Sequence, residues 1–300
     1  MLKLFKTSHL ILIFYLFALL SLSSCLNDSN NTSTEPESDL ITTAESFDQL
    51  GTFSEYADSV DIMNQLSDSD NYTLFAPVND AFSDEMFDTL SQKQLTDIIS
   101  YHLADTALFT QQLDVTQQIQ SLFGEDIYVS LGSNFISVND GELVDGNIQA
   151  TNGVLHASNT VLLPDTYLNV GRLIAKRYNL STMESAIESA ELADTLSEDT
   201  ENGFTVFAPS NSAFESVSPP DNQEALEDTI RYHVIPQEFR ADDFESSQML
   251  ETLNGQELKV GVNDTTITVN DSVTVILSDI EGTNGVVHII DTFLTSPSEE

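Results

Sequence analysis

The sequence predicts an α+β fold that occurs twice in one chain. Spaced motifs recur about 132 residues on, so each repeat is long enough to be a whole domain. Within a repeat, apolar residues first recur at helical spacing and later alternate with polar ones. Helices followed by a run of strands point to an α+β architecture rather than a doubly wound sheet.

The second repeat displays the order of elements most clearly. An amphipathic helix is expected from about Leu168 to Tyr178. A second begins near Ser181, where Ser181-x-x-Glu184 has the form of a capping box, and Met183, Ile187 and Ala190 follow at helical spacing. Phe204 to Phe207 reads as a strand that stops at Pro209. Asn211 is placed to cap a short helix carrying Ala213 and Phe214. Residues 222 to 233 read as another helix, ending near Tyr232-His233. Thr266–Val269 and Val273–Leu277 then alternate like half-buried strands, as do Ile127, Val129 and Leu131 in the first repeat. Asn263-Asp264, Asn270-Asp271 and the Asn-Gly pairs at 152–153 and 284–285 mark turns, with Gly153 and Gly285 expected at positive φ.

Three landmarks define the repeat. Thr73-Leu-Phe-Ala-Pro77-Val-Asn79-Asp-Ala81-Phe82 returns as Thr205-Val-Phe-Ala-Pro209-Ser-Asn211-Ser-Ala213-Phe214. Tyr101-His102 returns as Tyr232-His233, and Thr151-Asn-Gly-Val-Leu-His156 as Thr283-Asn-Gly-Val-Val-His288. The repeats are set at 41–165 and 166–297.

The N-terminus has the grammar of an export signal: Lys3 and Lys6, an apolar run from Leu10 to Leu20, then small residues up to Cys25. The run is short for a membrane span. Residues 1–24 are therefore expected to be a signal peptide. Leu22-Ser23-Ser24-Cys25 resembles the bacterial lipobox, and Cys25 is the chain's one cysteine, so a lipid anchor on Cys25 is expected. Residues 25–40 are rich in Ser, Thr, Asn, Asp and Glu and read as a disordered polar tether. The corresponding expected location is a bacterial cell envelope, lipid-anchored at the outer membrane, with the membrane face left open by the sequence.

Charge narrows the partners. Forty-nine acidic residues face nine basic ones, for a net charge of −40. Such a surface repels phosphate backbones and excludes nucleic acid as a partner. It also tolerates high ionic strength, which screens its self-repulsion.

Phe-Ala-Pro-x-Asn-x-Ala-Phe, Tyr-His and Thr-Asn-Gly-Val-x-His, in that order and twice over, resemble the fasciclin (FAS1) domain family. The resemblance covers nearly everything after residue 41. It implies two tandem FAS1-like domains, each a β-wedge or sandwich packed against several α-helices. It also implies extracellular adhesion without catalysis, with a cell-surface or matrix protein or a polysaccharide as partner. Positions proposed as adhesion determinants in animal members match Tyr101, His102, Tyr232 and His233. A further Asp-Ile determinant matches Asp279-Ile280, whereas the first repeat has Asn147-Ile148 there.

Each of these residues also has a plainer reading. Tyr101 and Tyr232 at helix ends are expected to bury their rings and keep their hydroxyls wet. His102, His156, His233 and His288 read as buried, hydrogen-bonded core histidines rather than metal ligands, because a metal site wants three or four protein ligands. Phe75, Phe82, Phe207 and Phe214 read as core. Pro77, Asn79, Pro209 and Asn211 shape the strand-to-helix turn. The acidic stretches 68–71 and 198–201 lack the calcium-loop pattern. No nucleophile-elbow, zinc-protease, phosphate-loop or dinucleotide motif is present, so no enzyme and no cofactor is expected. The rival to adhesion is a glycan- or small-molecule-binding component of an envelope uptake system, which a deep cleft between the repeats would favour.

Overall fold

The computed structural model describes residues 36–62, 66, 71–83, 85–215, 217, 219–220 and 222–296. The expected signal peptide, Cys25 and most of the expected tether lie outside these residues, as do Asp68 and Asp70. The tether's predicted end at residue 40 is corrected: Asp39 already caps a helix, accepting the Thr42 amide, and Leu40 is fully buried.

Each repeat builds a seven-stranded mixed sheet in the same order. The first repeat begins with α1 (Leu40–Glu45) and α2 (Gly51–Ser59), then β1 (Tyr72–Pro77), α3 (Gln92–Tyr101) and the short β2 (Leu103–Ala104). The strands β3 (Thr116–Gln120), β4 (Asp126–Leu131), β5 (Ile136–Val138), β6 (Gly141–Ala150) and β7 (Gly153–Ser158) follow as an antiparallel meander. The meander returns β7 alongside β1 as the sheet's single parallel pair. The second repeat matches it with α4 (Val170–Ala175), α5 (Ser181–Ser189), an added α6 (Ala193–Ser197), β8 (Phe204–Pro209), α7 (Gln223–Tyr232) and β9 (Val234–Ile235). It closes with β10 (Gln248–Glu251), β11 (Glu257–Asn263), β12 (Thr266–Val269), β13 (Val273–Gly282) and β14 (Gly285–Ile290).

The parallel pairs β1/β7 and β8/β14 are buried on both faces, which explains their unbroken apolar runs. One face packs on helices; around Leu74, Ile99 and Leu155 this forms the helix-side core of the first repeat. The other face looks into the curled sheet, where Phe75, Tyr101, Ile127, Val129 and Val138 fill a second core. A bridge between Ala104 and Ser121 brings β2 back toward β3, so the sheet nearly closes on itself. The second repeat does the same with Phe207, Tyr232, Leu258, Val260 and Val269.

Several local expectations are revised. The first helix of the second repeat is shorter than predicted, an α-turn from 170 to 175 flanked by 3-10 turns at 165–167 and 178–180. Helix α5 has no capping box: Ser181 is its first residue and no side chain of the adjoining residue caps it. The segments after Pro77 and Pro209 are 3-10 turns, and Asn79 does not cap its own. Phe75 and Phe207 are core, whereas Phe82 and Phe214 are half-buried against its edge. Gly153 does not take positive φ. It is required because a Cβ there would lie 2.1 Å from the Tyr72 carbonyl oxygen across the parallel pair. Gly285 has both constraints, with φ of 150° and the Phe204 oxygen at 2.1 Å.

Candidate functional site

Helix α3 delivers Tyr101 at its last turn and His102 as its C-cap; α7 does the same for Tyr232 and His233. All four side chains are at most 1% exposed, so as placed they offer a partner no surface. The tyrosine hydroxyls are not wet. Tyr101 donates to the Asp126 carbonyl at 2.7 Å and accepts from the Asn139 carboxamide at 3.1 Å. Tyr232 repeats this with Glu257 and Asn270, at 3.4 and 3.0 Å. Burial pushes the Tyr101 hydroxyl far above the ordinary tyrosine range.

The histidines act as pins between backbone segments. His102 Nδ1 donates to the Ile98 carbonyl at 2.8 Å, and Nε2 accepts the Leu162 amide at 3.0 Å. His233 makes the same pair with Thr229 and Leu294. The acceptor role at Nε2 fixes the neutral Nδ1–H tautomer. Burial lowers both imidazoles to about 4, against partial compensation from the Nδ1–H bond to the carbonyl. His156 and His288 are inverted: Nε2 donates to the Leu108 and Phe239 carbonyls, and Nδ1 accepts the amides of Asn147 and Asp279. Burial lowers these two as well. His102 and His156 form no joint site, and every ring nitrogen of the four is committed to backbone.

Asp279-Ile280 lies at a bulge in β13, and Asn147-Ile148 at the equivalent bulge in β6. Asp279 is exposed and left-handed at φ of 61°, while Ile280 is buried in the helix-side core. The Asp279 carboxylate accepts the Ala241 amide at 2.7 Å. Asn147, also at φ of 61°, accepts the Thr110 amide at 2.8 Å. Asn and Asp are the side chains that tolerate this backbone, so the two repeats share one structural device despite the difference in residue.

Asn79 and Asn211 have a role that spacing did not reveal. The Asn79 oxygen accepts the Thr52 amide at 3.0 Å and its nitrogen donates to the Asp48 carbonyl at 2.8 Å, capping α2 from 27 residues away. Asn211 caps α5 likewise, through Thr182 and Tyr178. Sequence reading placed Asn270 in a turn but missed its equivalent Asn139, and missed that both left-handed residues hold the tyrosine hydroxyls. The repeated Asn at matching places was the available signal. Thr73 and Thr205 open the repeated motif, and each hydroxyl ties β1 or β8 to the loop after β2 or β9.

What faces outward is different in kind. An open polar recess of about 240 Å³ lies beside Gln120, Glu125, Asp126, Tyr128, Asp165 and Arg177. Val144 and, at the equivalent bulge, Ile276 and Leu277 are more than half exposed. Glu198, Asp199 and Glu201 are solvated.

A model of the fasciclin domain matches residues 48–164 and again 178–296. The chain belongs to the fasciclin domain family. Among similar proteins, transforming growth factor-beta-induced protein ig-h3 of Sus scrofa is 29% identical over 242 residues, covering 76% of this chain and 35% of that protein. Protein sll1483 of Synechocystis is 34% identical over 141 residues, covering 44% of this chain and 76% of that protein. Among solved structures, the FAS1 domain pair from the insect cell adhesion molecule fasciclin I superposes with a TM-score of 0.54 at 20% identity. The match covers 83% of this fasciclin chain and 97% of that one. The tandem thus shares its fold with a solved FAS1 pair, and it spans about a third of the length of the first mammalian relative. Among the described residues, no helix is long and apolar enough to cross a membrane.

Proposed function

We propose that this fasciclin chain is a non-catalytic binding protein of a bacterial cell envelope. It is held by a lipid on Cys25 and displayed on a polar tether, and it adheres through its two domains to a surface protein or polysaccharide. One observation carries the reading: the polar side chains of the repeated motifs are spent on internal hydrogen bonds. Binding is left to the outer faces of the domains, with their acidic side chains and the exposed apolar residues Val144, Ile276 and Leu277. The family resemblance, the solved pair from an adhesion molecule and the N-terminal signal grammar support the same reading. The recess beside Tyr128 is open and lined by carboxylates, unlike the enclosed, largely apolar pockets of small-molecule receptors. This favours adhesion over uptake.

Two measurements test the proposal. Protease treatment of intact producing cells should remove the protein; protection until the envelope is broken would exclude adhesion to other cells. A soluble chain beginning at Pro36, which keeps the Asp39 cap, should bind cells or extracted envelope polysaccharide saturably. Absence of any saturable binding sinks the reading.

A further inference from the structure

The chain holds nine basic residues against 49 acidic ones, yet Arg172, Lys176 and Arg177 fall within a single short stretch. All three reach the first domain or the segment joining it to the second. Asp165, in that segment, accepts Lys176 Nζ on one carboxylate oxygen at 2.6 Å and the Arg177 guanidinium on the other. Its amide donates to the Glu125 carboxylate at 2.8 Å, and Glu125 stands 3.7 Å from Lys176 Nζ. The Lys176 ammonium lies 4.5 Å above the Tyr101 ring, and the Arg177 guanidinium 5.3 Å above that of Tyr128. Arg172 grips Asp140 at 2.8 Å, and the Tyr167 hydroxyl donates to Asp97 at 3.3 Å. Beneath these contacts, Phe87 and Ile98 of the first domain share one apolar cluster with Leu168, Val170 and Leu173 of the second.

Two facts set this cluster apart from ordinary surface pairing. Lys176 is 1% exposed and Arg177 4%, and burying a cation is costly unless it is paired and hydrogen-bonded. The first domain also has the same fold without cations at these places. Leu40 and Val170 are equivalent, since their amides bond the equivalent side chains of Asn152 and Asn284. Counting on from Leu40, the first domain places Thr42, Ser46 and Phe47 where the second has Arg172, Lys176 and Arg177. The cations belong to the joint.

We infer that Asp165 is the centre of a charged clasp that locks the two fasciclin domains into one body with fixed spacing and angle. A partner that engages both domains must match that single spacing, which a flexible linker would not demand. The clasp persists at ionic strengths that dissolve exposed pairs such as Lys259–Asp271, because screening is weak at buried charges. The inference stands on the geometry of the joint, whatever the partner is.

The test is a spin-label distance measurement on the full chain carrying Cys25→Ser, with labels on cysteines placed at the exposed positions Asp114 and Thr265. A single narrow distance distribution is expected, unchanged by added salt. Asp165→Asn should broaden it to several distances while the circular dichroism of the folded domains is retained. Lys259→Gln, which removes the exposed pair with Asp271, should leave it narrow. A broad distribution in the parent chain, or a narrow one in Asp165→Asn, overturns the clasp. Should Asp165→Asn not fold, the double variant Glu125→Gln, Arg172→Gln at the more exposed struts replaces it, and broadening is again expected. A distribution as narrow as the parent's overturns the clasp.

Discussion

The ring of His233 accepts the amide of Leu294 on Nε2 at 3.0 Å, 61 residues along the chain, and donates from Nδ1 to the Thr229 carbonyl at 2.8 Å. A proton added at Nε2 would meet an N–H instead of a lone pair. His102 stands in the same position between Ile98 and Leu162.

This geometry makes folding stability depend on pH. Burial lowers both imidazoles from 6.5 to about 4, so between those values the unfolded chain binds protons that the folded chain refuses. The stabilisation is complete above pH 6.5 and is lost as pH falls toward 4, by roughly 3 kcal/mol per histidine. Glu45, Glu125 and Glu184 are raised by burial and oppose this slope. The histidine contribution is therefore read by difference. In denaturant titrations from pH 7.5 to 4.5 at constant salt, His233→Gln should be less stable at pH 7.5 and show a flatter slope than the parent. Parallel slopes would show that His233 does not report on acid unfolding.

Asn211 caps α5 from the far side of the chain, so its loss should be felt at that helix. Asn211→Ala is expected to lower stability by about 1–2 kcal/mol. Asn211→Asp keeps the acceptor for Thr182 and loses the donor to Tyr178, so it should fall between the two. Denaturant midpoints at fixed slope check the order.

Glycine substitutions should separate close approach from backbone preference. Gly153→Ala drives a Cβ into the Tyr72 carbonyl and should prevent folding or cost several kcal/mol, on the order of the largest single-residue effects. Gly124, at φ of 104° with open space around its missing Cβ, should tolerate alanine at roughly 1 kcal/mol. Comparable losses at the two sites would contradict the packing of β1 on β7.

The bulges test whether Asp279 contacts a partner or only shapes the strand. Because Asn147 does the same structural work, Asp279→Asn should change stability by less than about 0.5 kcal/mol. If adhesion uses the outer faces generally, binding to cells or polysaccharide should also be unchanged. Loss of binding with stability intact would mark Asp279 as a direct contact.

The sequence by itself determined the duplication, the α+β order and the sheet-forming half of each domain. These rest on periodicity and on residues whose requirement is local: alternating Ile127 and Val129, Pro77 and Pro209 at strand ends, and left-handed Asp264, Asn270 and Asp271 in turns. The apolar settings of His102, His156, His233 and His288 are also legible in the sequence, and the structure buries all four. The tertiary structure alone decided which distant groups meet. Asn79 looked like part of the local strand-to-helix turn and instead caps a helix 27 residues back, because the fold sets the end of β1 beside the start of α2. Gly153 looked like a turn residue and is instead the point where two parallel backbones touch. Arg172, Lys176 and Arg177 carry no motif that assigns them a role in the sequence. Only the packing of one domain on the other brings Asp140, Asp165 and Glu125 to them, since hydrogen bonds and ion pairs are set by distances in space that spacing along the chain does not encode.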